Sequence, residues 1–317
     1  MKNLLTLEKK PVKGFMLFEW AMLAYAIFTL LIMALTYTKL HNPMSMLWLR
    51  FQSIMMLVAL WAVYRMLPCR LTMLFRVLGQ LALLGTWYPE TFEFNRVLPN
   101  LDHVFATWEQ QLFGFQPALL FSQKISNPVF SELLTLGYVS YYPLMVVVSV
   151  YYFLYRYNQF LRSSFIILAS FFLFYVIFIF LPVAGPQYYY LAAGLDNIAN
   201  GVFPNIGNYF ETHTEALPAP GFQDGPFYKL LVMAHNAGER PTAAFPSSHV
   251  GVTTVLLWLA WATGNRRFFW WLVPFGVLMF FATFYIQAHY AIDAIAGLFV
   301  GTIMYFLLRF AYGNSKC

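Results

Sequence analysis

Time after time this chain runs for about 20 residues with scarcely a charge, the length an α-helix needs to cross the hydrocarbon of a bilayer. Such runs cover residues 15–37, 45–66, 71–88, 131–155, 163–182, 247–264, 268–287 and 290–311. Backbone N–H and C=O groups in lipid must pair internally. Runs of this length do so as helices rather than as the alternating strands of a membrane barrel. Composition agrees: 60% of residues are hydrophobic and 10% charged, whereas a soluble domain carries roughly 25% charge. The expected fold is all-α, a polytopic membrane helix bundle of about eight spans. The third run is the weakest because it holds Arg76 and Gln80. Arg76 is expected to snorkel to the nearer interface.

Charge orients the bundle. With both termini cytoplasmic, thirteen of the 19 Lys and Arg fall in inner segments. Lys39, Arg96, Lys124, Lys229 and Arg240 fall in outer ones, and Arg50 lies inside the second run. The positive-inside rule favours that arrangement. The net charge of +6 is then a property of a membrane protein, and no nucleic-acid partner is implied. Cys69 and Cys317 are the two cysteines, and neither has a partner at metal-ligand spacing; a disulfide framework is not expected. The first run is too long for a signal-peptide core and reads as a retained span.

Three regions follow. Residues 1–88 hold the first three spans, 89–130 form an outer interfacial segment with one or two short helices, and 131–317 form the core expected to carry the chemistry. Inside that core, 183–245 is the longest polar stretch, rich in Gly, Pro, Asn and Asp; loops of this length usually serve function. Tyr188, Tyr189 and Tyr190 read as interfacial aromatics. His41, His103, His213 and His235 are scattered through the outer segments and read as non-catalytic.

Two helix junctions on the outer face stand out. One is Pro246-Ser247-Ser248-His249, where the polar stretch meets the sixth run. A helix N-terminus offers unpaired N–H groups and the positive end of the dipole, which suit a phosphate. Ser247 and Ser248 add hydroxyls there; the plainer reading makes one of them an N-cap. The other junction is His289-Tyr290-Ala291-Ile292-Asp293. His289 and Asp293 are four residues apart, so they share a helical face. A carboxylate on one imidazole nitrogen raises the basicity of the other, which can then attack phosphorus. The plainer reading is a structural pair stapling two helices. Arg240, in Glu239-Arg240-Pro241, has the guanidinium geometry that matches phosphate.

Taken in order, Arg240-Pro241, Pro246-Ser247-Ser248-His249 and His289-x-x-x-Asp293 resemble the type 2 phosphatidic acid phosphatase superfamily. Its three signatures are Lys-x6-Arg-Pro, Pro-Ser-Gly-His and Ser-Arg-x5-His-x3-Asp. Here Met233 stands at the lysine position, Ser248 at the glycine and Thr283 at the arginine. These departures look like the branch that includes fungal inositol phosphorylceramide synthase, whose third signature also lacks the arginine. Leu112-Phe113-Gly114-Phe115-Gln116-Pro117 and Leu181-Pro182-Val183-Ala184-Gly185-Pro186 are similar to that branch too. The signature resemblance covers roughly 180–305 and reaches back softly to about residue 100.

The resemblance implies that His289 is the nucleophile forming a phosphohistidine, that Asp293 orients it, and that His249 protonates the leaving oxygen and then activates the acceptor. Arg240, Ser247 and Ser248 would hold the phosphoryl oxygens. It implies no metal and no cofactor. The expected activity is a lipid phosphotransferase moving a head group such as phosphoinositol onto a lipid acceptor such as ceramide. Its partners are then a lipid phosphate or phospholipid donor and a lipid or water acceptor. The alternative is a phosphatase releasing phosphate from a lipid phosphate or polyprenyl pyrophosphate. A proton-coupled carrier is the third reading, since intramembrane His–Asp pairs also mark proton relays. Short tails and tight loops fit a bacterial inner membrane, with the site facing the periplasm or an equivalent lumenal or extracellular side.

Overall fold

The computed structural model describes residues 4–314; Lys2, Lys316 and Cys317, which entered the sequence reading, lie outside them. The described chain is helical, with one isolated bridge between Leu7 and Cys69. In order come α1 (Leu17–Thr36), α2 (Pro43–Met66) and α3 (Arg70–Asn95), then the short α4 (Asp102–Phe113) and α5 (Pro117–Lys124). They are followed by α6 (Pro128–Val139), α7 (Tyr141–Tyr155) and α8 (Tyr157–Phe180). The polar stretch holds α9 (Pro186–Ala193), α10 (Leu195–Ala199) and α11 (Pro226–Gly238). The chain closes with α12 (Ser248–Ala262), α13 (Arg266–Tyr285) and α14 (Ala291–Asn314). Proline opens α2, α5, α6, α9 and α11, where its missing N–H removes no helical bond and its φ is already helical.

Helices α1, α2, α8, α13 and α14 are long and apolar enough to cross a membrane; α6 and α7, bent by 51° at their junction, make a sixth if they form one span. Two of the eight expected runs fall short for separate reasons. Helix α3 is 26 residues long but carries Arg70, Arg76, Gln80, Glu90 and Glu93. Helix α12 has 15 residues, about 22 Å of rise, against a hydrocarbon core of roughly 30 Å.

Helix α8 is the axis of the bundle. It packs against α1, α3, α7, α12 and α14. Its stretch from Ser163 to Phe172 is buried without interruption. In the α1–α3 layer, Arg76 does not snorkel. It is fully buried, with Nε 2.6 Å from Glu19 Oε1 and Nη2 2.7 Å from Glu19 Oε2. A two-pronged ion pair inside the bundle removes the reason to reach for water. Arg50 is paired likewise, with Nη1 3.0 Å from Glu90 Oε1. Helix α3 also runs through Pro89 to Asn95, past the end of the apolar run at residue 88.

Helices α12 and α14 approach more closely than side chains allow. A Cβ on Gly297 would stand 2.4 Å from the Ser247 carbonyl oxygen, and one on Gly301 2.2 Å from that of Gly251. Two glycines four residues apart thus form a flat strip on α14, the spacing by which membrane helices bring backbones together. This strip fixes the register of the two helices that carry His249 and Asp293.

The 183–245 stretch is less of a loop than its composition suggests. Helices α9 to α11 occupy much of it, and α11 packs on α6. Tyr188, Tyr189 and Tyr190 are buried rather than interfacial. Tyr189 donates to the Pro204 carbonyl at 2.8 Å and Tyr190 to Gln116 Oε1 at 3.1 Å. Their hydroxyls find acceptors inside the protein, so water is not required.

Candidate functional site

Three connecting segments meet where α8 ends and α12 and α14 begin. The Ala244 N–H donates to the Val183 carbonyl at 3.0 Å. The Ser247 N–H donates to the Asp293 carbonyl at 3.0 Å, and the His289 N–H to that of Thr283 at 3.1 Å. Two non-glycine residues here, Ala243 (φ 67°) and Gln287 (φ 63°), hold left-handed backbone. Each costs roughly 1–2 kcal/mol, and the three-segment junction holds them in place.

His289 is buried, at 4% exposure. Its Nδ1 lies 2.7 Å from the Ala244 carbonyl oxygen. A carbonyl only accepts, so Nδ1 carries the proton and Nε2 carries the lone pair. That Nε2 faces His249 Nδ1 at 3.4 Å. Burial drives the His289 pKa down to about 4, against the raising effect of the Ala244 contact. The imidazole is therefore neutral at pH 7 and its Nε2 is a ready nucleophile. Asp293 Oδ2 is 3.8 Å from Nδ1, longer than a hydrogen bond. Instead it accepts from the Tyr290 N–H at 2.8 Å, which places Asp293 at the start of α14 as a cap. The tautomer of His289 is thus set by a backbone carbonyl, with the carboxylate standing behind it.

His249 sits between two tyrosine rings. Tyr138 stacks on it with centroids 4.4 Å apart, and Tyr141 lies 4.4 Å away on a tilt. Beyond it opens a cavity of about 540 Å³ whose polar lining includes Tyr88, His235, Glu239, Ser248 and His249. Most of the remaining wall is apolar or aromatic, with Leu144, Val147, Phe171, Trp271 and Phe275 among the lining residues beside Tyr138, Tyr141, Tyr142 and Tyr175. Glu239 Oε1 accepts from the Tyr88 hydroxyl at 3.3 Å, and burial pushes its carboxyl up.

The remaining expected residues divide. Ser247 is fully buried and caps α12, accepting from the Val250 N–H. Ser248 lines the cavity. Arg240 stands apart: it is exposed, and its Nη1 donates to the Glu239 carbonyl at 3.0 Å. Met233 and Lys229 are exposed on α11, and Thr283 turns its hydroxyl to the Phe280 carbonyl.

Two buried carboxyls support the junction, and the sequence reading passed over both. Asp102 accepts from the Ala184 N–H (2.7 Å), the Gly185 N–H (2.8 Å), Asn100 Nδ2 (2.6 Å) and the Tyr290 hydroxyl (3.0 Å). It ties α4 to the segment after α8 and to the residue following His289. Glu109 Oε2 accepts from the Ile292 N–H at 3.3 Å, a carboxylate at the positive end of α14. Burial outweighs these bonds and raises both carboxyls, Glu109 to about 7. In the sequence both acids sit in the interfacial 89–130 segment, and no spacing links them to His289.

A family model described as the PAP2 superfamily matches residues 103–307. The chain belongs to the PAP2 superfamily. Neither the curated proteins nor the solved structures gave a match. The PAP2 match begins in α4 and ends in α14, so it takes in Glu109, His249, His289 and Asp293 and leaves α1–α3 outside. PAP2 members are phosphatases and phosphotransferases, and the facing imidazoles lie inside the matched region.

Proposed function

We propose that this protein is a membrane lipid phosphotransferase that works through a phosphohistidine at His289. The observation that carries the reading is the imidazole pair: Nδ1 of His289 is pinned by the Ala244 carbonyl, and Nε2 faces His249. A phosphoryl group enters by replacing that contact. His289 Nε2 forms the N–P bond as the P–O bond to the donor lipid breaks. His249, protonated on both ring nitrogens once the anionic phosphate is bound, gives one proton to the leaving oxygen and is left neutral. In the second half the acceptor hydroxyl gives its proton to His249. Its oxygen then takes the phosphorus and the N–P bond breaks, leaving His289 neutral. Ser248 and the first turn of α12 hold phosphoryl oxygens. Arg240, exposed and held by one hydrogen bond, turns inward to add a guanidinium.

The apolar cavity beside His249 favours a lipid acceptor over water, and a phosphoinositol donor with a ceramide-type acceptor follows from the inositol phosphorylceramide synthase resemblance. The test is a product assay with purified protein and a labelled phosphatidylinositol donor, with and without ceramide. A phosphorylated sphingolipid that His289→Gln cannot make supports the transferase. Free phosphate from a lipid phosphomonoester, with no transfer product, makes the enzyme a phosphatase.

A further inference from the structure

The same helices that carry the histidines hold a different polar pocket at their other ends. Arg309 lies about 27 Å along α14 from Ala291 at 1.5 Å per residue, close to the thickness of a hydrocarbon core. There Arg162 and Gln159 of α8, Tyr152 of α7, and Tyr305 and Arg309 of α14 line a cavity of about 120 Å³ against Leu259 of α12.

Its free polar groups are mainly donors, since Tyr152 and Ser163 already spend their O–H on the Leu259 and Phe160 carbonyls. Tyr305 accepts from Arg309 Nη1 at 2.9 Å, which leaves its O–H to donate. Arg162 Nη2 uses one N–H on the Arg309 carbonyl at 3.3 Å, and each guanidinium has five N–H groups. No carboxylate pairs with Arg162 or Arg309 among the described residues. A third guanidinium nearby, Arg156, is committed to the Thr263 carbonyl, to which its Nη2 donates at 2.8 Å. Cations on one membrane face are expected of any such protein. Others at this end are committed elsewhere: Arg266 lies 3.3 Å over the Trp261 ring and Arg70 4.1 Å over Tyr157. Arg309 also lies 5.9 Å over the Tyr305 ring, but the Arg162–Arg309 pair differs in facing a cavity with free donors on α8 and α14 and no counter-charge among the described residues.

We infer that this pocket is an anion site that takes a phosphate group, one bilayer thickness from the imidazole pair. Its depth matches the head-group level of the leaflet opposite the histidines. An anionic phospholipid there would join α8 to α14, the two helices that hold the catalytic junction at their far ends. Basic pockets between membrane helices recognise phosphate head groups in this way. The inference does not depend on the phosphotransfer reading.

The test uses purified full-length protein in neutral detergent, with thermal unfolding followed as phosphatidylglycerol, phosphatidylcholine or inorganic phosphate is added. The expected result is a rise of about 5 °C with phosphatidylglycerol, little with phosphatidylcholine, and loss of the rise in Arg162→Ala/Arg309→Ala. Arg162→Lys/Arg309→Lys keeps the charge and loses the fork, so it should retain part of the rise and guards against a misfolded alanine variant. Arg266→Ala/Arg267→Ala, on the same face outside the pocket, should respond like the parent. A pocket-dependent rise with inorganic phosphate as well assigns the site to free phosphate; a rise with phosphatidylglycerol alone assigns it to a lipid. An undiminished rise in the alanine and lysine pocket variants, or an equal loss in Arg266→Ala/Arg267→Ala, would overturn the inference.

Discussion

Helices α1–α3 and α12–α14 both bury ionisable groups in an apolar bundle, and they satisfy them in opposite ways. In the first region charge meets opposite charge: Arg76 on Glu19, with both side chains fully buried, and Arg50 on Glu90. In the second, imidazole meets imidazole at 3.4 Å, a carboxylate stands 3.8 Å behind, and a cavity of about 540 Å³ opens beside them. The first region lies outside the PAP2 match and the second within it. A buried charge in a membrane helix is therefore no sufficient sign of chemistry. The sign is a like pair in contact, one of whose members, His249, lines a space that a substrate can fill.

The contrast is broken most sharply by His289→Gln. Turnover should fall at least ~10³-fold while the thermal midpoint in detergent barely moves. Glu19→Ala should do the reverse. It strands Arg76 without its counter-charge and should cost about 3–5 kcal/mol of stability, while kcat per folded molecule stays the same. Denaturant unfolding beside a lipid assay separates the two.

Gly301→Ala should affect both readouts, because its Cβ would meet the Gly251 carbonyl. The helices must part, at about 1–3 kcal/mol, and the His249–His289 register goes with them. Asp102→Asn replaces an acceptor of four hydrogen bonds with a group that cannot accept all of them. It should lower kcat by roughly 10–100-fold through misplacement of His289, with KM for the donor little changed.

The smallest effect is on pH dependence. His289 has its pKa lowered to about 4, so its Nε2 lone pair persists as pH falls through the usual histidine range near 6.5. The His289 acid limb of kcat/KM should therefore sit well below 6. A limb at 6.5 that disappears in His289→Gln background activity would mean that the ring is solvated.

Much of this architecture was readable from the chain. Long apolar runs specify helices because lipid leaves the backbone no other partner, and His249, His289 and Asp293 share one end of the bundle as their positions at helix starts suggest. What escaped reading was set by three-dimensional partners. Arg76 looked bound for the interface because Glu19, 57 residues away, cannot be paired with it by any local rule. Asp102 and Glu109 share the buried face of α4 with Phe105 and Ala106, and carboxylates at two of those four positions read as a solvent-facing stripe. Tyr138 and Tyr141 were visible only as two among many tyrosines, and His249 between them gives them meaning. The glycines of α14 stood at i and i+4 in plain view, but which helix they meet depends on the fold of the whole core.

The most direct test of the account is to look for the covalent intermediate. Protein would be mixed briefly with a donor lipid labelled at phosphorus, quenched in alkali, where phosphohistidine survives, and mapped by mass spectrometry. The account predicts label on His289, absent in His289→Gln and accumulating in His249→Ala when the donor has a good leaving group. Label on another residue, or full lipid turnover in His289→Gln, would contradict it.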